Sequence, residues 1–144
     1  MSQESAKEVV LKRSNRSNRF FGWINCRAQS FVHAGRGLLL LYLTQWNFRI
    51  HLIAGIGAIC LACYFRITAI EWLILLGAIA LVLCAEALNT ALERTVDLLE
   101  PERHPLARDA KDLGAAGVLI ASIFALIVGL IVFGPRLFGL FFSK

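Results

Sequence analysis

The chain has 144 residues, 58% of them hydrophobic, a mean hydropathy of +0.66 and a formal charge of +5. That is too apolar for a soluble domain of this size, and the length suits one compact membrane domain rather than two soluble ones. Eight of the 15 Lys and Arg residues, Lys7 to Arg49, precede the first long apolar run. The basic excess therefore points to anionic lipid headgroups rather than nucleic acid.

In chain order, residues 1–19 are polar, charged and without periodicity, and are expected to form a flexible tail. They contain no apolar core of a cleavable signal peptide. From Phe20 to Trp46, aromatic and aliphatic residues are mixed with Arg27, Gln29, His33, Arg36 and Gln45. This stretch is too polar to span a bilayer and suits an amphipathic helix lying in the interface, with Gly35 and Gly37 marking a break or a close contact. A first span is expected over about 50–66, its flanking Arg49 and Arg66 reaching outward to the headgroups. A very short turn then leads into a second apolar run that starts near Ile70 and continues as one helix to about residue 99, its last turns in the cytosol. Pro101 and Pro105 break it. A third span is expected over about 107–133, with Gly117, Ala121, Ala125 and Gly129 at every fourth position as a close-packing stripe. Gly134-Pro135 is expected to end that helix and leave a short tail, 135–144. The cysteines Cys60 and Cys63 lie mid-span without His or further Cys nearby and read as small apolar residues.

The fold class is thus all-α and membrane-integral: three transmembrane helices preceded by an amphipathic interfacial one. The distribution of Lys and Arg places the N-terminus and the segment Arg94–Lys111 in the cytoplasm, with the C-terminus outside.

The chemistry is concentrated in Cys84–Asp97. Glu86, Asn89, Glu93 and Asp97 are spaced by 3, 4 and 4 residues, so they form one stripe on a helix. Counted from Trp72 at the interface, Glu86 lies roughly 21 Å along the helix, still within a hydrocarbon core about 30 Å thick. A carboxylate at that depth suggests function. Across the loop stand Arg108, Asp109, Lys111 and Asp112. Such a distribution suits a lipid headgroup meeting a soluble, highly charged molecule. Paired carboxylates can hold Mg²⁺, a lysine can balance phosphate charge, and a carboxylate at lipid depth can take a proton from a lipid hydroxyl. The usual glycine-rich nucleotide motifs are missing. On these grounds alone the chain is a small membrane enzyme, or a proton-coupled transporter, with a carboxylate site.

The residues Glu86-Ala-Leu-Asn89-Thr-Ala-Leu-Glu93, Val96-Asp97, His104 and Ala110-Lys111-Asp112-Leu-Gly114 resemble the prokaryotic diacylglycerol kinase and undecaprenol kinase family. So do Ser30-Phe31, Ala34, Gly37 and Asn47-Phe-Arg-Ile-His51. The resemblance covers residues 20–133. It implies a homotrimer with sites between subunits, ATP and Mg²⁺, and transfer of the γ-phosphate to a lipid hydroxyl. By position it makes Glu86 the general base beside the lipid, Asn89 the residue orienting the reacting groups and Glu93 the main Mg²⁺ ligand. Lys111 and Asp112 would contact nucleotide, Glu102, Arg103 and His104 would line its pocket, and Arg49 would lie near the lipid headgroup. Its setting would be the inner (plasma) membrane. One departure stands out. The family's second metal-ligand glutamate is replaced here by Gln45, whose amide oxygen can ligate Mg²⁺ but brings no charge. That leaves weaker metal binding, or a catalytically impaired lipid-binding relative, as readings of this sequence.

Overall fold

A computed structural model gives the fold of residues 27, 29–100 and 104–142. The expected tail at residues 1–19, Glu102 and Arg103 lie outside these described residues. The chain divides into two compact units, one through Leu40 and one from Leu41 onward. The first contributes most of helix α1, residues 29–44, whose residues up to Leu40 are exposed. Gln45, in extended conformation, separates α1 from α2, Trp46–Phe65. The remaining elements are α3, Ala69–Leu99, and α4, Pro105–Phe142.

Helices α2, α3 and α4 are each long and apolar enough to cross a membrane. Only 17%, 22% and 22% of their most apolar windows are buried within the chain, so most of their apolar surface faces outward, as a bilayer environment requires. The span expected from residue 50 begins at Trp46 instead. Arg49 is accommodated inside it because its guanidinium lies 4.8 Å over the Trp46 ring, a cation–π contact that lowers the cost of a charge there.

The α2–α3 hairpin is built by local chemistry at both sides of its turn. Arg66 adopts the left-handed conformation, with φ 49° and ψ 53°. Its N–H donates to Cys63 O and that of Ile67 to Ala62 O, both at 3.3 Å. These are the two bonds of a Schellman cap, and its usual apolar contact is supplied by buried Ala62 and Ile67. Thr68 opens α3 with a capping box: Glu71 N–H donates to Thr68 Oγ1, and Thr68 N–H donates to Glu71 Oε2 at 2.8 Å. Farther along, α2 and α3 approach closely at Gly55, where an added Cβ would lie 3.1 Å from Ile79 Cγ2.

Helices α3 and α4 share the most extensive contact of the fold. Leu75, Ala78, Val128, Val132 and Phe133 form its core together with Ala62 and Ile67. The sequence pattern assigned the packing stripe of α4 to Gly117, Ala121, Ala125 and Gly129. Only Ala121 among these is buried, while Gly117 has open space beside it. The buried row follows Ala121, Val128 and Val132, alternating with half-buried Val118 and Ala125, because α4 packs at coiled-coil-like spacing of three and four rather than a strict four.

The helix also does not stop at Gly134-Pro135 but runs through Pro135 to Phe142. Proline removes one backbone bond, and here the next residue reinforces that turn. Arg136 Nη1 donates to Val132 O at 2.5 Å and to Glu71 Oε1 at 2.9 Å, while Nη2 donates to Glu71 Oε2 at 2.9 Å. A two-pronged guanidinium–carboxylate pair thus ties the segment beyond the proline to the first turn of α3. The expected break after Leu99 is present, and Pro105 occupies the first turn of α4, where its missing N–H costs nothing.

Replacing Thr68 by Ala removes the side-chain half of the capping box and is expected to cost about 1 kcal/mol of stability. Arg66→Gly, which relieves the left-handed residue, is expected to raise stability by about 0.5 kcal/mol. Unfolding of the purified protein in detergent measures both.

Candidate functional site

The polar stripe of α3 faces the other two spans. Glu86 is 3% exposed although ionisable, and Thr90, one turn on, is 5% exposed. The antiparallel run of α2 brings His51 Nε2 to 3.3 Å from Glu86 Oε1. That contact falls short of hydrogen-bond geometry, so Oε1 is buried without a hydrogen-bond partner. Asn89 Nδ2 donates to Glu93 Oε1 at 2.8 Å. Asn89 Oδ1, like Glu86 Oε1, is buried and unsatisfied. Two oxygens on successive turns of one helix are therefore prepared for a partner, since native proteins rarely leave such groups unmet.

The Asn89 side chain has this room because α4 presents Gly114 to it. A Cβ at Gly114 would overlap Asn89 Oδ1 and lie 2.9 Å from Leu92 Cδ2. The glycine is a requirement of close approach, a role not evident from its place in the sequence motif.

Gln45, the residue before α2, is half-buried. Its neighbour Thr44 accepts a hydrogen bond at 3.1 Å from Arg94 Nη2. The same register carries Gln45 to the level of Glu93. Arg49 Nε is buried without a hydrogen-bond partner, two residues before His51 on α2.

Beyond Glu93, α3 and the start of α4 enclose an open groove of about 790 Å³. Its polar lining includes Asp97, Glu100, His104, Arg108, Lys111 and Asp112. The volume is in the range of small-molecule sites, roughly 300–1,000 Å³. His104, Lys111 and Asp112, singled out from the sequence, are thus brought together. Each already has a local partner. Lys111 Nζ donates to Asp97 Oδ1 at 2.5 Å. Asp112 is 3.8 Å from Arg108, both exposed. His104 Nδ1 accepts the Leu106 N–H at 3.2 Å, so the histidine caps α4 as well as lining the groove.

Sequence reasoning missed two participants. Asp97 is on the stripe but carries no role from the sequence, and its partner Lys111 across the loop gives it a place in the groove. His51 was quoted in the motif without a role. The signal was available: folding back about Arg66–Thr68 puts His51 opposite the start of the α3 stripe.

Among the described residues no three His, Cys, Asp or Glu side chains converge into a ready metal site. Glu93, Gln45 and Asn89, singled out from the sequence, carry oxygens of the hard type that Mg²⁺ prefers.

A family model described as prokaryotic diacylglycerol kinase matches residues 32–133. The chain is 39% identical to an undecaprenol kinase of Bacillus subtilis over 85% of its own length and 94% of that protein. It is 42% identical to a diacylglycerol kinase of Synechocystis over 77% of this chain and 64% of that one. A diacylglycerol kinase of Escherichia coli is 37% identical over 66% of this chain and 78% of the relative.

Gly114→Ala is expected to cost about 1–3 kcal/mol by forcing α4 away from Asn89 and Leu92. Asn89→Ala in the same chain should recover part of that loss, because it removes one of the two colliding groups. A double-mutant cycle of unfolding free energies measures the coupling.

Proposed function

The chain belongs to the prokaryotic diacylglycerol kinase family and is a lipid kinase, and from that premise we propose that it transfers the γ-phosphate of ATP, with Mg²⁺, to a membrane lipid hydroxyl with Glu86 as general base. The observation that carries this reading is the 3% exposure of Glu86 in the middle of a membrane-length helix whose same face leads to a polar groove. A lipid alcohol approaches from the apolar side and a nucleotide from the aqueous side, and only the stripe of α3 touches both.

The roles follow from position. Glu86 takes the hydroxyl proton as the lipid oxygen attacks phosphorus, for which a carboxylate within hydrogen-bond reach is required. Asn89 is fixed through Nδ2 by Glu93 and offers Oδ1 to orient the reacting groups. Glu93, with Gln45, holds the metal; when bound, Mg²⁺ neutralises charge on the β- and γ-phosphoryl oxygens. Lys111 exchanges Asp97 for the triphosphate, and His104 and Asp112, with Glu102 and Arg103 from the adjoining loop, line the nucleotide pocket. From Glu86 to Asp97 is eleven residues, or roughly 16 Å of helix, so the triphosphate has to reach along α3 past Glu93. Arg49, at the cytosolic end of α2, binds the lipid headgroup.

The acceptor is diacylglycerol or undecaprenol. Undecaprenol is favoured by the match to the Bacillus subtilis relative over 94% of that protein. The assembly we propose is a homotrimer in the inner membrane, N-terminus cytoplasmic. Supporting it are the outward apolar faces of the spans and a groove that one chain leaves open.

Two outcomes test this. With radiolabelled Mg·ATP and a panel of diacylglycerols and polyprenols, the purified protein should label at least one lipid, and Glu86→Gln should lower the rate by about 10²-fold or more. Gln45→Glu, which adds a charged ligand, should reduce the Mg²⁺ concentration giving half-maximal rate, measured by metal titration at saturating ATP.

A further inference from the structure

A base that is 3% exposed has a difficulty that its role alone does not resolve. Each turnover would leave a proton on Glu86, and the next lipid needs the carboxylate free again. On α3 itself nothing offers an exit. Asn89 lies one turn toward the cytosol, is an amide, and is already committed to Glu93. Thr90 is buried. Glu93, the nearest further acid on the stripe, accepts that amide bond and belongs to the metal end.

From α2, one titratable group meets Glu86. His51 Nε2 lies 3.3 Å from Oε1, and the His51 side chain is 27% exposed. The imidazole is therefore the partly exposed group in contact with a buried oxygen. Arg49, the other charged residue nearby on α2, cannot release a proton, because a guanidinium stays protonated. Among the described residues, the charged groups of α4 at this end, Arg108, Asp109, Lys111 and Asp112, lie at the groove and not at Glu86; Lys111 is held by Asp97.

We propose that His51 is a positioning residue for the phosphoryl transfer, its unprotonated Nε2 taking the proton from the Glu86 carboxylic acid and the ring relaying it toward the aqueous interface. This rests on Glu86 being the base. The balance is simple. The lipid O–H bond breaks as its oxygen bonds to the γ-phosphorus, and the bond from that phosphorus to the bridging oxygen breaks to release ADP. The hydroxyl proton passes to Glu86, then to neutral His51 Nε2, and the resulting imidazolium gives a proton to water. Neutral imidazole both accepts and donates, which suits a relay between two media. Because release follows transfer, losing His51 slows the cycle without altering how nucleotide is bound.

The experiment uses the full-length protein in lipid nanodiscs with Mg·ATP and whichever lipid alcohol it phosphorylates. Rates are compared for wild type, His51→Gln, His51→Ala and Glu86→Gln across pH 5.5–9, with and without added imidazole. We expect His51→Gln to lower kcat about 10-fold or more, with the KM for ATP within twofold, and to change the shape of the pH profile. His51→Ala should be partly restored by imidazole and not by an equal concentration of a non-titrating salt. Retained ATP affinity in each variant shows that it has folded. Unchanged kcat and pH profile in His51→Gln, or loss confined to the KM for ATP, overturns the relay, as does His51→Ala that binds ATP but ignores imidazole. Full activity in Glu86→Gln overturns the base assignment itself; an inactive Glu86→Gln beside an unaffected His51→Gln overturns this inference alone.

Discussion

The α2–α3 turn constrains everything that happens at the site. Only Arg66, Ile67 and Thr68 separate the two helices, and the Schellman cap and capping box leave the turn no freedom in length. A helix pair folded so tightly has its register decided at the hinge. Gly55 and Ile79, which touch, are each twelve residues from Ile67. Farther out the pairing drifts by a few residues to His51 with Glu86 and Thr44 with Arg94. One inserted residue at the turn would rotate α2 by about 100° against the α3 stripe. Glu86, its histidine neighbour and the Gln45–Glu93 level are therefore all consequences of three residues at the opposite end of the hairpin.

The two ends of the bundle treat polar groups in opposite ways. At the hinge end, Glu71 satisfies the Thr68 amide and both prongs of Arg136. That end is finished, and it carries the proline and the left-handed residue without loss of helix. At the other end, Arg49 Nε, Glu86 Oε1 and Asn89 Oδ1 are buried without hydrogen-bond partners. Buried unmet polar atoms cost stability, and here they gather at one end of the bundle. The two substrates would meet there: lipid from the apolar flank, nucleotide along the groove.

Much of this was legible beforehand because membrane helices obey few rules strictly. Length and hydropathy fixed the count of spans, since only helices satisfy their backbone in lipid. The stripe Glu86, Asn89, Glu93 and Asp97 followed from helical periodicity alone, whereas Lys111 and Asp112 stood in a charged segment before the third apolar run and took their role from resemblance. What escaped was tertiary. Gly117 and Gly129 looked like packing residues, but helix rotation decides which small residues face inward, and it turned Gly114 there instead. Pro135 looked like a terminator because its rescue comes from Glu71, sixty-four residues away in sequence. Asp97 looked idle because its partner lies beyond a loop. The roles of Asn89 and Gln45 came from resemblance rather than from spacing, which offers an amide no distinctive signature.

Within a single chain α2 lies across Glu86, with His51 against the carboxylate. Cysteines placed at 51 and 86, in a chain whose four native cysteines have been replaced, test this in native membranes treated with a short thiol-bridging reagent. Efficient bridging is expected in a product that migrates as one chain, and little bridging when the second cysteine is moved from position 86 to the outward-facing position 88. Absence of a bridge between 51 and 86, or a bridge formed only between chains, would contradict it.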